Sequence, residues 1–459
     1  MLGEAFLGIA SYCRDSFART KSFERSVALM LGQLCGMGRG TTTRAILALG
    51  RQDGDWSAFY RLCSRAPWDA QSLFVSTFKE CLTWFKSDWV VVAYDDTRLK
   101  KTGKKISAAR YYLDPLSPRF HPNLMYGLRF LQCSALLPLH SYGEGRARGV
   151  PISFELAPCV KKPGKKATPQ ELDAYKQACK EQNLSTAFTA SLIRQRKNLD
   201  ELGGAQRLLV VTVDGSFCNR NCLKDIPERT LIIGRTRKDA RLCFPMGSGS
   251  RKIYSDQKFT PQQVLKDDAI AFEKAEVFFG GAVRELAYKK LDNVLWQGGT
   301  QTRLVTLFVL APTPYRNSQS GRMLYRDPAY LICTGTGLNA LRVIQAYLDR
   351  WQIEVNHQEE KDILGVGQAQ VRSEKAVPRQ PALVVAAYSI LILASLKAFG
   401  TGRCQHYPEQ PSWQRDKRRP SITDMIRLLR AEWADPNSAL SLRFKTPPGF
   451  HNLVMTARA

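Results

Sequence analysis

The sequence has few of the residues that build thiol and imidazole metal centres. Its 459 residues include 12 Cys and 5 His, and among the Cys only Cys218 and Cys222 are close neighbours. No second Cys or His pair stands at a spacing that would complete a zinc site. Scattered cysteines without a disulfide framework are typical of a reducing compartment. The composition therefore argues against a structural zinc protein and against a disulfide-stabilised secreted fold.

Acidic residues are scarce relative to basic ones. The chain has 41 Asp and Glu against 67 Lys and Arg, a formal net charge of +26, and a sequence pI near 9.7. Basic residues recur in every segment and are not confined to one tail. An excess of this size predicts a polyanionic partner, with nucleic acid the first choice and an anionic membrane surface the second.

Long apolar runs are also missing, with one exception. Residues from Pro381 to Leu396 are nearly all apolar, and Lys397 ends the run. The run is short for a membrane span and stands alone, so a buried helix is the favoured interpretation. The apolar start of the chain is interrupted by Glu4 and Arg14, unlike an export signal. We expect a cytoplasmic protein that has no membrane partner.

The patterns along the chain predict an α/β protein with a helical beginning. Residues 1–86 look helical, and a helix, a Gly-rich turn over 36–40 and a second helix after a Thr41 cap are compatible with a helix-turn-helix DNA reader. Many small helical domains share that pattern. The remaining chain divides into a first part of an α/β core over 87–234, an inserted β-rich subdomain over 235–335, core helices over 336–400 and a C-terminal helical segment over 401–459.

Two apolar strands are each followed by a carboxylate. The run from Trp89 to Tyr94 leads into Asp95 and Asp96, and a second run leads into Asp214. Carboxylates at strand ends are natural ligands for a hard divalent cation. Because adjacent residues on a strand point to opposite faces, only one of Asp95 and Asp96 can join Asp214.

The stretch from residue 347 to residue 361 reads as a helix with a polar face. Tyr347, Arg350, Glu354 and Lys361 fall within about 60° of each other on a helical wheel. A solvated helix with ion pairs is the simplest interpretation of such a face. Together with the two strand-end carboxylates, however, Glu354 completes a set of three acids from separate elements, which suits divalent cations.

A basic cluster follows the second acidic strand. It includes Arg235, Arg237 and Lys238. A solvated loop is one interpretation. In a chain this basic, we favour a contact with nucleic acid.

The spacing Tyr-(2)-Arg-(3)-Glu-(6)-Lys in the helix resembles the signature of a large group of bacterial insertion-sequence transposases. These enzymes use a DDE catalytic triad on a ribonuclease-H-like core. Asp95-x-Thr97 is similar to their first acidic motif, and a strand ending in Asp214 with Phe217 three residues on is similar to their second. A β-rich insertion before the glutamate is a further shared feature. The resemblance covers residues 40 to 375.

The resemblance implies roles for individual residues. Asp95, Asp214 and Glu354 would hold two Mg²⁺ or Mn²⁺ ions, with Asp95 favoured over Asp96 by the Asp-x-Thr spacing. The Tyr, Arg and Lys of the signature would contact the phosphates of the DNA end. Trp296 would stack on a flipped base, although a core Trp is the simpler interpretation.

The activity implied is metal-dependent cleavage of DNA at the element's terminal inverted repeats, followed by strand transfer into target DNA. A homodimer would hold two ends together, and the protein would associate with the bacterial nucleoid. Two alternatives remain open. One is a catalytically inactive DNA-binding protein derived from a transposase, and the other is a ribonuclease-H-like nuclease that cuts regardless of terminal repeats.

Overall fold

The fold is mixed α/β, with one large sheet flanked by helices. A computed structural model describes residues 1–114, 117–118, 120–139, 147–247, 249–316, 321–409 and 419–444. Much of the predicted C-terminal segment, 401–459, therefore lies outside the described residues.

The N-terminal part is helical, as predicted. Thr41 caps the third helix by accepting a hydrogen bond from the backbone N–H of Arg44 at 3.3 Å, and Gly38 in the turn before it has a φ of +85°. The elements before residue 87 are α1 (Leu2–Ser11), a 3₁₀ turn (Tyr12–Ser16), α2 (Thr20–Cys35), α3 (Thr42–Ala48), α4 (Ser57–Ser64) and α5 (Ser72–Leu82).

The next part of the chain combines strands and helices, and it contains both of the strands that carry or precede the predicted acids. Its elements are β1 (Trp89–Lys100), β2 (Arg110–Leu113), β3 (Leu124–Leu137), β4 (Arg148–Leu156), α6 (Pro169–Glu181), α7 (Leu184–Leu199), a π-helical turn (Asp200–Gly204), β5 (Leu208–Val213), α8 (Arg220–Leu223) and β6 (Thr230–Arg235).

The middle of the chain is rich in strands, also as predicted. Its elements are β7 (Leu242–Pro245), β8 (Tyr254–Phe259), α9 (Pro261–Lys266), β9 (Glu273–Phe279), β10 (Ala282–Leu295), β11 (Leu304–Leu310), β12 (Thr313–Tyr315), β13 (Leu324–Arg326) and β14 (Ala329–Cys333).

The described strands of the large sheet run in the order β2-β3-β1-β5-β6-β14-β11-β10-β7-β8, with β4 added to β3 and β9 to β10. Strands β1, β5 and β6 are parallel, and the other pairs are antiparallel. The strands of residues 235–335 thus extend the same sheet. The domain boundaries stay predictions.

Strand β1 is longer than the apolar run that predicts it. Its parallel pairing with β5 stops at Ala93↔Thr212, but its antiparallel pairing with β3 continues to Lys100↔Gly127. Asp95 is consequently inside β1 and not at its end. The sequence pattern missed the extension because the last residues of the strand are held by β3, a partner remote in sequence.

The helix predicted over 347–361 is interrupted. It is formed by α10 (Ala340–Asp349), α11 (Trp351–Gln358) and a π-helical turn (Glu359–Ile363), with Arg350 between the two helices. The predicted stop is confirmed, since Gly365 and Gly367 have φ values of +65° and +95°. These values belong to the left-handed region that favours glycine.

The remaining helices are α12 (Ala376–Phe399), α13 (Ile422–Ala434) and α14 (Ala439–Phe444). The apolar helix α12 is buried in a hydrophobic core that it shares with the N-terminal helices, β1, β3, β4 and β5. In its most apolar 18-residue window, 83% is buried inside the fold. The prediction of a buried helix is confirmed, because its apolar surface contacts protein. The cytoplasmic location stays a prediction.

Candidate active site

The two faces of β1 separate Asp95 from Asp96. Ala93 packs in a small apolar cluster with Ile353 of α11, whereas the ring of Tyr94 lies against α7, 5.0 Å from a phenylalanine ring. Side chains alternate along a strand, so Asp95 shares the face of Ala93 and Asp96 that of Tyr94. The helix with the predicted third acid therefore covers the face of Asp95.

Asp214 directly follows β5, the neighbour of β1. Its Oδ1 accepts hydrogen bonds from the backbone N–H of Ser216 at 2.9 Å and from the Ser216 hydroxyl at 2.6 Å. The pKa of Asp95 rises from 3.8 to about 7, first because the carboxyl is buried and then because Asp214 carries like charge, while Arg350 opposes the rise. The two carboxylates are thus close enough to repel each other.

Glu354 is held by the arginine one turn before it. Arg350 Nη2 donates to Glu354 Oε1 at 2.8 Å, and the side chains are 14% and 34% exposed. The guanidinium carbon also lies 5.9 Å from the ring centre of Tyr347. Burial alone would lower the pKa of Arg350, but Tyr347, Glu354 and Asp95 raise it. Burial raises the pKa of the Tyr347 phenol. Arg350 therefore joins the helix to the first strand acid.

Lys361 lies in the π-helical turn. Burial lowers the pKa of its ammonium, while nearby carboxylates, Asp95 among them, act in the opposite direction. The structure thus brings this predicted DNA contact into the electrostatic neighbourhood of the strand acids. All four polar residues of the predicted helix face remain near one another or near Asp95, despite the break in the helix.

Asp96 has its own cationic surroundings. Arg98 Nη2 lies 3.8 Å from Asp96 Oδ2. Burial raises the pKa of Asp96, and Arg98 and Arg129 oppose that rise. Sequence reasoning missed Arg129 as a site residue, although its charge interrupts the apolar run of β3. Asp214 and Lys361 also act on Asp96, so Asp96 lies in an ion-pair network that adjoins the same site.

The other two glutamates of the helical segment are engaged elsewhere. Glu359 Oε2 accepts hydrogen bonds from Arg148 Nη2 at 3.2 Å and from the hydroxyl of Tyr388. Glu360 is only 1% exposed, and burial raises the pKa of its carboxyl well above its ordinary value. Of the three glutamates, Glu354 is the one paired with Arg350, whose guanidinium also acts on Asp95.

The donor set fits divalent cations in its chemistry. Asp95 and Asp214 are oxygen donors, and a cation between them would offset both the burial and the like charge of Asp214, which together raise the pKa of Asp95. Across the residues described, no three His, Cys, Asp or Glu side chains lie together at metal-binding spacing. Arg350 pairs with Oε1 of Glu354, so Oε2 is the oxygen of this carboxylate that would serve as a ligand.

The predicted basic cluster borders the same edge of the sheet. Arg235, Arg237 and Lys238 line a cleft of about 650 Å³ whose wall also includes Gly215, the residue after Asp214. All three side chains are exposed, and Arg237 pairs with Asp239 at 2.8 Å. Asp239 and Asp327 also line the cleft, so its three cations face two carboxylates, and it reaches the chain at Gly215, next to Asp214.

Trp296 is half-buried and packs against two hydrophobic clusters. Its ring also lies on the backbone of Gly299, where an added Cβ would come within 2.2 Å of it. These contacts agree with a core tryptophan. The stacking role stays a prediction.

No protein-family model matches this chain, and no curated protein matches it.

Proposed function

We propose that this protein is a DDE transposase that cleaves DNA at element ends and transfers the strand to target DNA in a metal-dependent reaction. One observation carries the proposal. Asp95 and Asp214 are coupled at one edge of the sheet, and Arg350 links Asp95 to Glu354 on the covering helix. The four-residue helix signature thus contributes to a single polar site, as a transposase requires.

The order of the central strands supports a ribonuclease-H-like core. Antiparallel β4-β3-β1 is continued by the parallel pairs β1-β5 and β5-β6. The carboxyl ends of parallel strands meet at one edge of a sheet, which is where α/β proteins form their sites. The two acids come from the adjacent strands β1 and β5.

In this mechanism Asp95, Asp214 and Glu354 would hold the metal. Two Mg²⁺ or Mn²⁺ ions, when bound, would lower the pKa of the attacking water and offset charge on the leaving 3′-oxygen. Arg350 and Lys361 bind the phosphates of the DNA end and stabilise the negative charge that develops there.

The basic excess supports DNA as the substrate. The net charge is +26, and Arg235, Arg237 and Lys238 line a cleft whose wall includes Gly215, the residue after Asp214. Neutralising phosphates in this way releases counterions and drives sequence-independent affinity. We extend the proposal to a homodimer that holds two DNA ends.

The direct test is cleavage of DNA that carries the element's terminal inverted repeats. Purified protein with Mg²⁺ is expected to cut at the repeat end and to join the freed 3′-OH to a target duplex. Glu354→Gln is expected to abolish cleavage while DNA binding remains. Glu374→Gln, which changes an exposed glutamate beyond the helix, is the matched control and is expected to cut normally.

The same assay separates the alternatives. Normal cutting by Glu354→Gln would show that the triad assignment is wrong. DNA binding without any metal-dependent cleavage would favour the inactive descendant, and cutting without dependence on the repeats would favour a nuclease. Asp95→Asn and Asp96→Asn, compared side by side, decide the first acid: we expect only Asp95→Asn to remove cleavage completely.

A further inference from the structure

A second charged site lies beyond the π-helical turn, in a cavity of about 220 Å³. Its walls come from the Gly36–Gly40 turn, the start of α3, the residues Ile363 and Leu364, and one face of α13. We call it the arginine cavity, because four arginines line it and no Asp or Glu does so among the described residues. They are Arg39, Arg44, Arg427 and Arg430.

Arg430 has a structural role. Its Nε donates to the carbonyl of Cys35 and its Nη2 to the carbonyl of Gly36, both at 3.0 Å. These bonds connect α13 to the end of α2. Burial lowers the pKa of Arg430, and neighbouring Arg427 contributes to the same effect. The guanidinium of Arg430 therefore gives the cavity a positive charge that two hydrogen bonds hold in place.

The other three arginines are without partners. Arg39, Arg44 and Arg427 are exposed. Within the described ranges, none of their side chains forms an ion pair or a hydrogen bond. Gathering guanidinium groups without a carboxylate is unfavourable unless an anion offsets their repulsion. The arrangement therefore points to an anionic ligand.

The Gly-rich turn joins the cavity to the catalytic segment. The backbone N–H of Gly40 donates to Gln368 Oε1 at 2.7 Å, and a Cβ at Gly40 would lie 2.4 Å from the carbonyl of Leu364. Ile363 and Leu364 follow Lys361 within a single turn. Direct backbone packing therefore holds the cavity against the segment that carries Lys361, which lies near the part of the sheet with Asp95 and Asp214, here called the carboxylate edge.

We propose that the arginine cavity binds a phosphodiester group of the duplex DNA that reaches the carboxylate edge. Guanidinium groups suit this ligand because each presents paired N–H donors to two phosphate oxygens. This inference rests on the proposed function, because the proposed function is the reason for naming DNA as the source of the phosphate. It adds a phosphate contact made jointly by the N-terminal helices and α13, independent of metal and of the carboxylates.

The test is the salt dependence of duplex binding by the full-length chain without metal. The double variant Arg44→Ala with Arg427→Ala is compared with Arg51→Ala with Arg65→Ala, which removes two exposed arginines outside the cavity. The plot of log K against log salt has a slope near −0.9 per neutralised phosphate. Because the cavity binds one phosphodiester group, the cavity variant is expected to reduce the magnitude of the slope by about 0.9, and the control by much less. Unchanged melting temperatures establish that both variants fold.

Other outcomes overturn the inference. If both double variants lost the same amount of slope in the plot of log K against log salt, the arginines would act only through the overall positive charge and the cavity would not be a phosphate site. Calorimetric binding of inorganic phosphate that is lost in the cavity variant, with unchanged duplex binding, would show a free-anion site. Absence of terminal-repeat cleavage together with the selective loss of slope would refute the proposed function and leave this inference standing.

Discussion

Two charged sites meet at the helical turn Glu359–Ile363, and they are built in opposite ways. On one side, carboxylates and cations are interleaved: Arg350 pairs with Glu354 at 2.8 Å, and Lys361 lies near Asp95. On the other side, the arginine cavity has no acidic residue in its described lining.

The difference indicates what each side can bind. The carboxylate edge has oxygen donors for a cation and nearby positive groups for a phosphate, so it suits chemistry on a phosphodiester. The arginine cavity has donors for an anion only and can contribute affinity but no metal ligand. Variants on the two sides should therefore affect different measurements.

The largest expected effect is on catalysis. Asp214→Asn removes a negative oxygen donor from the carboxylate edge, so we expect the cleavage rate at saturating DNA to fall by about 10³-fold or more. DNA affinity should be unchanged or stronger, because the change removes a charge of the same sign as the phosphate backbone. Single-turnover cleavage and a separate binding titration measure the two quantities. If Asp214→Asn lost DNA affinity as well as cleavage, the two sites would not have the separate roles in catalysis and binding that we assign to them.

The turn between the sites should depend on Glu359 for stability. Arg148 is 5% exposed and is paired with Glu359, so Glu359→Gln leaves a buried cation uncompensated. We expect the free energy of unfolding to fall by about 3–5 kcal/mol in urea titrations. Glu360→Gln is the matched comparison. Burial raises the pKa of the Glu360 carboxyl well above its ordinary value, so a neutral amide of the same shape should change stability by less than about 1 kcal/mol. Equal effects would contradict these different roles.

The carboxylate edge should also show a pH dependence that the arginine cavity lacks. The pKa of Asp95 in the folded protein is about 7, above its ordinary 3.8. Between these values the folded state keeps a proton that the unfolded state has lost, so stability falls as pH rises from about 4 to 7. In metal-free protein at pH 8, we expect Asp95→Asn to be more stable than the parent by about 2–3 kcal/mol.

Asp349 provides the control for that measurement. Its pKa also rises to about 7, because of burial alone, opposed by a hydrogen bond from Gln345. Asp349→Asn should therefore remove a similar pH dependence. Mg²⁺ is expected to cancel the stability advantage of Asp95→Asn and to leave that of Asp349→Asn unchanged. The same response to Mg²⁺ in both variants would contradict a cation site at Asp95.

The smallest effect concerns the turn of the arginine cavity. Gly38 has a φ of +85°, and an added Cβ would lie 3.3 Å from Arg44 Nη2. Gly38→Ala should cost about 1 kcal/mol of stability, because an alanine is strained in this backbone region. It should also displace the guanidinium and weaken duplex binding several-fold. Gly54→Ala, in an exposed loop with negative φ, is the control. Normal binding by Gly38→Ala would show that the turn does not position Arg44.

Local signals in the sequence predicted much of the secondary structure. The β-branched runs before Asp95 and Asp214 form strands, the Thr41 cap begins α3, and the apolar run after Pro381 is a buried helix. Each of these strands, caps and helices depends on residues within one element, so composition and spacing are enough to predict it. The helix predicted over 347–361 is present as α10, α11 and the π-helical turn, with Arg350 in a helical backbone conformation between the first two, and the spacing did not predict the change of hydrogen bonding at Arg350 or the π-helical end.

The sequence by itself determined the chemical types at the site: two carboxylates after apolar runs, a helix with Tyr, Arg, Glu and Lys at fixed spacing, and a large basic excess. It left Asp95 and Asp96 as alternatives for the first acid. Only the tertiary structure decided which of them faces α11, because that depends on which helix covers which face of β1. The sequence could not predict the arginine cavity either, because the cavity is formed by contacts between distant residues such as Arg430 and Cys35, which are 395 residues apart.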